Sequence, residues 1–401
     1  KTFKTTLDLE LQKFSTKLLK DKAGSVCVMD IYKGDIVIMA SSPTFDPNKF
    51  VHGINQKDWN QLIQHRDKPL VNKAISGLYP PGSTIKTLVT ISALENDVVN
   101  PKMVQQCKGH IEFHGEKFHC WKKKGHGFVD MKEAIKQSCD VYFYEVARRL
   151  GVDRLSETAK KFGLGKKVLE GFFEEKQGVV PNTKWKKTNI GKNWYIGETL
   201  HSGIGQGYWQ TTPLQLCLVM AQIANGGYQI KPRIILKGES FEGLEEFIRN
   251  KEAFGENLNP LEEFIPRLKY KTLFENQENI NFVKEALFKA TNEPRGTSYR
   301  SRLTKKGFIF AGKTGTSQIR KFTALQRELE IKNVDLPYEE RDHALFVAFA
   351  PYHDPRYAIS IVIEHGGSGS SSAAPIAKQI IKKLLERHPL REAQQIKGEN
   401  V

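Results

Sequence analysis

No run of apolar residues in this chain approaches the length of a membrane span, and no signal peptide precedes the first helical pattern. The opening Lys1-Thr2-Phe3-Lys4 therefore fits a cytosolic protein or one separated from an anchor. The chain also lacks an internal repeat and any nucleic-acid-binding motif. Its five cysteines are an odd number, which excludes a complete disulfide framework. Excess negative charge is absent too. The net charge of +16 admits anionic partners such as nucleic acid, anionic lipid or a carboxylate-bearing polymer. The densest basic clusters, Lys122-Lys123-Lys124 and Lys184-Trp185-Lys186-Lys187, are short, so a basic, well-solvated surface is the simpler explanation. What remains is ordinary for a soluble globular protein: 39% apolar and 26% charged residues over 401 positions, enough for one large domain or two to three smaller ones.

Apolar spacing at Leu11, Phe14, Leu18 and Leu19 predicts a first helix after a capping signal at Thr6. Two β-rich runs, 25–31 and 35–40, are joined by Tyr32-Lys33-Gly34 and read as a hairpin, with Cys27 as a small buried hydrophobe. Residues 41–78 are mixed and polar. Residues 100–130 read as a loop-rich excursion, and one helical pattern runs from Met131 to Leu150, ending at Gly151. A further helix covers 153–162, residues 163–200 look irregular, and a glycine turn at 203–207 feeds an apolar helix over 213–224 that contains Cys217. Residues 238–280 read as a charged surface excursion, followed by a helix over 280–291. Strand runs at 307–311, 344–349 and 357–363 precede an apolar helix from Ala374 to Leu385. The pattern predicts an α+β fold: a five-stranded, mostly antiparallel sheet from about 24–41 and 306–364, flanked by helices. A large helical lobe, about 70–300, is inserted and includes a cysteine-rich loop at 105–140. The domain would span 1–390, with a tail at 391–401.

The stretch around which this pattern is organised is Tyr79-Pro80-Pro81-Gly82-Ser83-Thr84-Ile85-Lys86. Two prolines and a glycine make a rigid turn, and a helix starts near Ser83. Lys86 is the only charge between Thr84 and Leu94, so that helix is buried. Ser83 and Lys86 lie one turn apart, where hydroxyl and amine can meet. A lysine taken out of water loses basicity and can accept the serine proton. The plainer alternative is a capping serine beside a lysine that snorkels to solvent. Two further segments, Ser138-Cys139-Asp140 and Gly312-Lys313-Thr314-Gly315-Thr316 at a strand end, mean little alone.

Together the three stand in the order S-x-x-K, S-x-[N/D], K-T-G, which is the signature of penicillin-binding proteins and class A β-lactamases. With Gly203-Ile204-Gly205-Gln206-Gly207-Tyr208-Trp209 and the 311–317 segment, the chain resembles the transpeptidase domain of class B penicillin-binding proteins from about Thr5 to His388. Its nearest likeness is to the elongation-type subgroup, whose pattern Trp121-Lys122-Lys123-Lys124-Gly125-His126-Gly127 resembles. The resemblance implies peptidoglycan D,D-transpeptidation, with Ser83 acylated by a stem peptide or a β-lactam. Lys86 would be its base and Ser138 a proton relay. Lys313 and Thr314 would hold the stem-peptide carboxylate, beside Gly315 and Thr316. The backbone N–H groups of Ser83 and Thr316 would form the oxyanion hole. It also implies a membrane-embedded glycan polymerase and elongation-complex scaffold proteins as partners of the full-length protein, and no nucleic acid. The location implied is the periplasmic face of a bacterial inner membrane, with an N-terminal anchor outside this chain. The family commonly has Asn where Asp140 stands. An ionised Asp only accepts hydrogen bonds, so Asp140 is expected to pair with Lys86 or Lys313.

Cys107, Cys120, His126 and Cys139 fall within the same loop-rich segment. Three thiolates and an imidazole are a complete structural zinc set, although the spacing is not that of a ribbon or finger. A Cys107–Cys120 disulfide, or ordinary buried thiols, are the alternatives. Relatives of the resembling subgroup carry a metal site at similar positions, which favours zinc. His110, His114 and His119 read as surface residues. A β-lactamase or D,D-carboxypeptidase is a rival reading, but no deacylating glutamate on its own loop can be placed. A non-catalytic β-lactam sensor and, more remotely, a zinc-dependent nucleic-acid binder complete the alternatives.

Overall fold

The computed structural model describes residues 4–236, 271–320, 326 and 331–396, with side chains to 389. Asp8 caps the first helix, α1 (Leu9–Leu18), by accepting from the N–H groups of Glu10 and Leu11, so the cap lies two residues past the expected Thr6. Strands β1 (Gly24–Asp30) and β2 (Ile36–Ser42) form the expected hairpin. The polar stretch after it contains α2 (Gln56–Gln64) and α3 (Lys73–Ser76). A 3-10 turn over Gly82–Ile85 then leads into α4 (Lys86–Glu95).

The loop-rich excursion has more structure than its composition suggested. It holds two small antiparallel ladders, β3 (Gln105–Cys107) with β6 (Gly127–Val129), and β4 (His110–Phe113) with β5 (Glu116–His119). The single helix expected over 131–150 is two: α5 (Met131–Lys136) and α6 (Asp140–Leu150), broken at Gln137-Ser138-Cys139. Helix α7 (Val152–Lys161) follows, and the irregular stretch after it contains α8 (Thr183–Ile190) and α9 (Ile196–Gly203). Asn182 caps α8, and a Glu198 side chain closes α9, signals that lie in caps and not in apolar period. Helix α10 (Pro213–Ala224) carries a Thr212/Gln215 capping box and is buried along its whole length. The excursion expected over 238–280 lies largely outside the described residues; description resumes at residue 271, and α11 (Gln277–Asn292) follows.

Strand β7 covers Ala311–Ser317, so the K-T-G residues sit inside a strand and not at its end. The 307–311 run that looked strand-like is only its approach. Strands β8 (His343–Ala350) and β9 (Tyr357–Ile363) complete one antiparallel sheet of order β2-β1-β9-β8-β7. Helix α12 (Ala374–Ile396) carries the chain beyond the expected end at 385 and into the stretch read as a tail; residues 397–401 lie outside the described residues.

The sheet is buried on both faces, and side-chain alternation assigns each residue to one of two cores. Val26, Val28, Phe346, Ile359 and Ile361 meet α1 and α12. Cys27, Met29, Leu345, Val347 and Val362 meet α10 and the helical lobe. Fully burying one such aliphatic side chain contributes about 1.5–3 kcal/mol. Helix α4 runs through the lobe against α6, α7 and α11, which explains why nine of its ten residues, Lys86 included, are buried.

The turn that precedes α4 is bolted to the sheet through Tyr79. Its hydroxyl donates to Glu364 Oε1 at 2.7 Å, and its ring meets the His343 ring edge-on at 5.3 Å. Burial pushes the His343 imidazole down to about 4 from 6.5, and the facing His365 adds to the effect. Between those values the unfolded chain binds more protons, so the contribution is complete above pH 6.5 and lost as pH falls toward 4. It amounts to about 3 kcal/mol at most. Urea unfolding at pH 7 and pH 4.5 should show this loss in the wild type. His343→Gln should lack that part of the pH dependence; an equal loss in the variant would refute the assignment.

Candidate active site

Two glycines set Ser83 in place. Gly82 has φ of 52°, and a Cβ there would lie 2.3 Å from Thr316 O; Gly205 has φ of 73°, and its Cβ would lie 2.2 Å from Gly82 O. The Gly82 N–H donates to Gly205 O at 3.0 Å. Only residues without a side chain allow the serine turn, the 203–207 turn and β7 to meet this closely. Ser83 is therefore held on the 3-10 turn facing β7. It is not the capping residue of the helix: Pro81 stands at the start of the turn, and no side-chain cap is formed there.

Ser83, Ser138, Asp140, Thr314, Gly315 and Thr316 line one cavity of about 250 Å³. Lys86 and Lys313 lie fully buried around it. Lys86 Nζ donates to Asp140 Oδ1 at 2.7 Å, Ser138 O at 3.0 Å and Ser138 Oγ at 3.2 Å. Asp140 thus pairs with one of the two lysines expected for it. The expected contact between Ser83 and Lys86 is not made: among the described residues no hydrogen bond joins them, because the second motif has captured the ammonium. Spacing along one helix put the two on a common face but could not reveal a carboxylate arriving from α6. Burial pushes the Asp140 carboxyl up, and the Lys86 charge pulls against it.

Ser138 reaches this position through the break between α5 and α6. It adopts φ of 57°, a left-handed conformation uncommon for a residue with a Cβ. Lys313 Nζ donates to Thr314 O at 3.2 Å, and its pKa is held well below the ordinary lysine range, chiefly by burial and then by the Lys86 charge. The Thr314 hydroxyl donates to Thr297 Oγ1 at 3.0 Å.

Several lining residues carried no role in the sequence reading. Gln206 Nε2 donates to Thr316 O at 3.0 Å, fixing β7 against the glycine turn. Thr297 and the Ser368–Ser370 segment also line the cavity. Gln206 sat in a run already singled out for its likeness; Thr297 and Ser368 carry no local signal, because tertiary packing alone brings them here. Trp121 walls the cavity from a second one of about 550 Å³ that is lined by Phe118, Tyr144, Glu198 and Tyr208.

The cysteine loop closes behind Asp140. One donor atom from each of Cys107, Cys120, His126 and Cys139 lies within 4.8 Å of the other three. The Sγ atoms of Cys107 and Cys120 stand 3.6 and 3.5 Å from His126 Nδ1. A tetrahedral zinc with ordinary bond lengths sets S···N edges of about 3.6 Å, so the donor set fits. All five cysteines are free thiols, and Cys107 and Cys120 form no disulfide. Hydrogen bonds from Cys120 and Cys139 pull the Cys107 thiol down, while the pairing with Cys107 pushes the Cys139 thiol up. Three thiols so close cannot all ionise without a cation between them.

A serine on a short turn, a buried lysine one turn on, and a K-T-G strand at the edge of a five-stranded antiparallel sheet place the chain among the serine penicillin-binding folds. Residues 24–382 match the penicillin binding protein transpeptidase domain, and the chain belongs to that family. It is 34% identical over 388 residues to the peptidoglycan D,D-transpeptidase MrdA of Salmonella typhimurium, covering 96% of this chain and 59% of the relative. It is 32% identical over 382 residues to MrdA of Escherichia coli K12, covering 95% and 57%. The chain thus spans less than two thirds of these relatives. Among solved structures it resembles Pseudomonas aeruginosa PBP2 in complex with WCK 5153, with TM-score 0.79 and 32% identity over 94% of this chain and 77% of that one. It also resembles Helicobacter pylori PBP2 in complex with MreC, with TM-score 0.81 and 30% identity over 96% and 64%.

Proposed function

We propose that this chain is the D,D-transpeptidase domain of an elongation-type penicillin-binding protein. The observation that carries the reading is the convergence of Ser83, Ser138, Asp140 and the Thr314–Thr316 strand on one cavity, with Lys86 fixed beneath it. Ser83 Oγ attacks the penultimate D-Ala carbonyl of a stem peptide. The bond to the terminal D-Ala breaks, and that residue leaves as the free amino acid. An amine of a neighbouring stem then attacks the ester carbon, forms the crosslinking amide and releases Ser83.

Lys86 serves as the base for Ser83 as the neutral amine, its ammonium proton having passed to the hydrogen-bonded Asp140 carboxylate, which burial makes more basic, and the Ser138 hydroxyl passes a proton toward the leaving amine. Lys313 and Thr314 receive the terminal carboxylate, with the Ser83 and Thr316 backbone N–H groups serving the oxyanion. β-Lactams acylate the same serine. Cys107, Cys120, His126 and Cys139 would hold zinc, which supplies a crosslink that neutralises the thiolates and ties the loop to the second motif.

The relatives' names support crosslinking over hydrolysis. The Helicobacter pylori PBP2 complex with MreC supports an elongation-complex protein as a partner of the whole protein; a membrane-embedded glycan polymerase is the further partner of this reading. The setting is the periplasmic face of the inner membrane, with an anchor outside this chain; no described helix is long and apolar enough to cross a membrane. Intact mass spectrometry after incubation with penicillin should show one adduct, mapped to the peptide containing Ser83 and absent from Ser83→Ala. An adduct persisting in Ser83→Ala would refute the mechanism.

A further inference from the structure

Lys86 Nζ has three acceptors, and both residues that supply them, Ser138 and Asp140, are held from behind by Trp121. The Trp121 backbone N–H donates to Asp140 Oδ2 at 2.9 Å. Its indole Nε1–H is shared between Gln137 O at 3.1 Å and Ser138 O at 3.0 Å. Ser138 O is also an acceptor for Lys86 Nζ, at 3.0 Å. The indole N–H therefore straps the two carbonyls of the break between α5 and α6, where Ser138 holds its left-handed conformation. Such a conformation persists only where its surroundings over-determine it. Trp121 is 60% exposed, so burial of its ring does not account for its place. Its neighbours in sequence explain how it is presented: Cys120 is one of the clustered thiols, and the His126 ring meets the indole edge-on at 5.4 Å.

We propose that Trp121 is a positioning residue for acylation of Ser83, acting through its indole N–H on the Ser138 carbonyl and so on Lys86 Nζ. The inference rests on the reading of Ser83 as the acylated nucleophile. Without the indole donor, Ser138 O loses one of its two side-chain partners and the turn can relax toward the ordinary right-handed region. The Ser138 hydroxyl and the Lys86 ammonium move with it. Strand β7, which would receive the ligand's carboxylate, makes none of these contacts. The expected loss therefore falls on the chemical step and not on ligand capture.

The test uses Trp121→Phe, which keeps a ring but no donor, and replacement of Trp121 by β-(3-benzothienyl)alanine, which keeps the indole's shape while sulfur replaces N–H. Stopped-flow acylation by a reporter penicillin separates the dissociation constant of the pre-covalent complex from the acylation rate constant. In both variants the rate constant should fall about tenfold, the size of one hydrogen bond to a positioned group. The dissociation constant should stay within twofold, with melting temperature and bound metal at wild-type levels. A benzothienyl variant as fast as wild type would overturn the proposal. A change confined to the dissociation constant would also overturn it, because the ring would then be a ligand contact. Should Trp121→Phe fold poorly, the shape-matched replacement decides alone. Absence of any Ser83 adduct in the wild type would remove the functional reading itself, whereas normal wild-type acylation with unaffected variants would remove only the role of Trp121.

Discussion

Lys86→Ala should lower the rate of penicillin acylation at Ser83 by about 10²–10⁴-fold, the contribution typical of a positioned general base. The same substitution strips the Asp140 carboxylate of the ammonium at 2.7 Å, in a pair whose side chains are 0% and 11% exposed. Breaking a buried pair by removing one partner costs about 3–5 kcal/mol, so the single variant should also be less stable. The two effects separate in the double variant Lys86→Ala/Asp140→Asn. A neutral amide no longer strands a charge, so stability should largely return, while acylation should stay as slow as in Lys86→Ala. Asp140→Asn alone keeps one acceptor oxygen, for Lys86, and turns an amide NH2 toward the Trp121 N–H in place of the second oxygen; with that one hydrogen bond lost, acylation should stay within about tenfold of wild type. Stopped-flow acylation and urea unfolding on the same four proteins check all of this. Recovery of acylation in the double variant would show that Lys86 had acted only by neutralising Asp140.

Removal of the metal should have the next largest effect. The purified chain should contain about one zinc, and a strong chelator should lower both its unfolding free energy and its acylation rate with Ser83 chemically intact. Structural zinc sites bind with an apparent energy of about 10–16 kcal/mol, much of it coupled to folding, so the loss should amount to several kcal/mol. Acylation should follow because Cys139 lies between Ser138 and Asp140 and because Cys120 precedes Trp121. Thiol titration supplies the control: three additional reactive thiols should appear on chelation, while Cys27 and Cys217 stay buried in the core. A chain with no metal, and with Cys107 and Cys120 joined, would refute the site.

Where sequence reasoning worked, it worked through chemistry carried by short segments. The β1–β2 hairpin, the apolar helix α10 and the antiparallel pairing of the sheet follow from β-rich runs, an apolar run after a glycine turn and short connections, which are local quantities. It fell short where structure is set by contacts distant in the chain. The 131–150 pattern kept its apolar period across Ser138, so nothing local announced the break between α5 and α6. The small ladders at 105–129 are three or four residues long and send only a few apolar side chains, Ile111, Phe118 and Val129 among them, to the core, so their composition looked like loop. Helices α8 and α9 are short and begin at caps that periodicity cannot detect.

The order and residue types of the three motifs, the donor set of the cysteine loop and the burial of Lys86 were all determined by the amino-acid sequence, because each depends on what a residue is and what lies within a turn of it. The motif pattern offered Asp140 either Lys86 or Lys313, and the choice between them, with the loss of the Ser83 contact, belonged to the tertiary structure. The Lys86 ammonium goes to Ser138 and Asp140, more than fifty positions away, because α4 and α6 pack together in the lobe and the loop behind them brings Trp121 onto the same two residues. An ion pair between distant segments leaves no local trace; its energy exists only once the fold has brought the charges out of water and into contact.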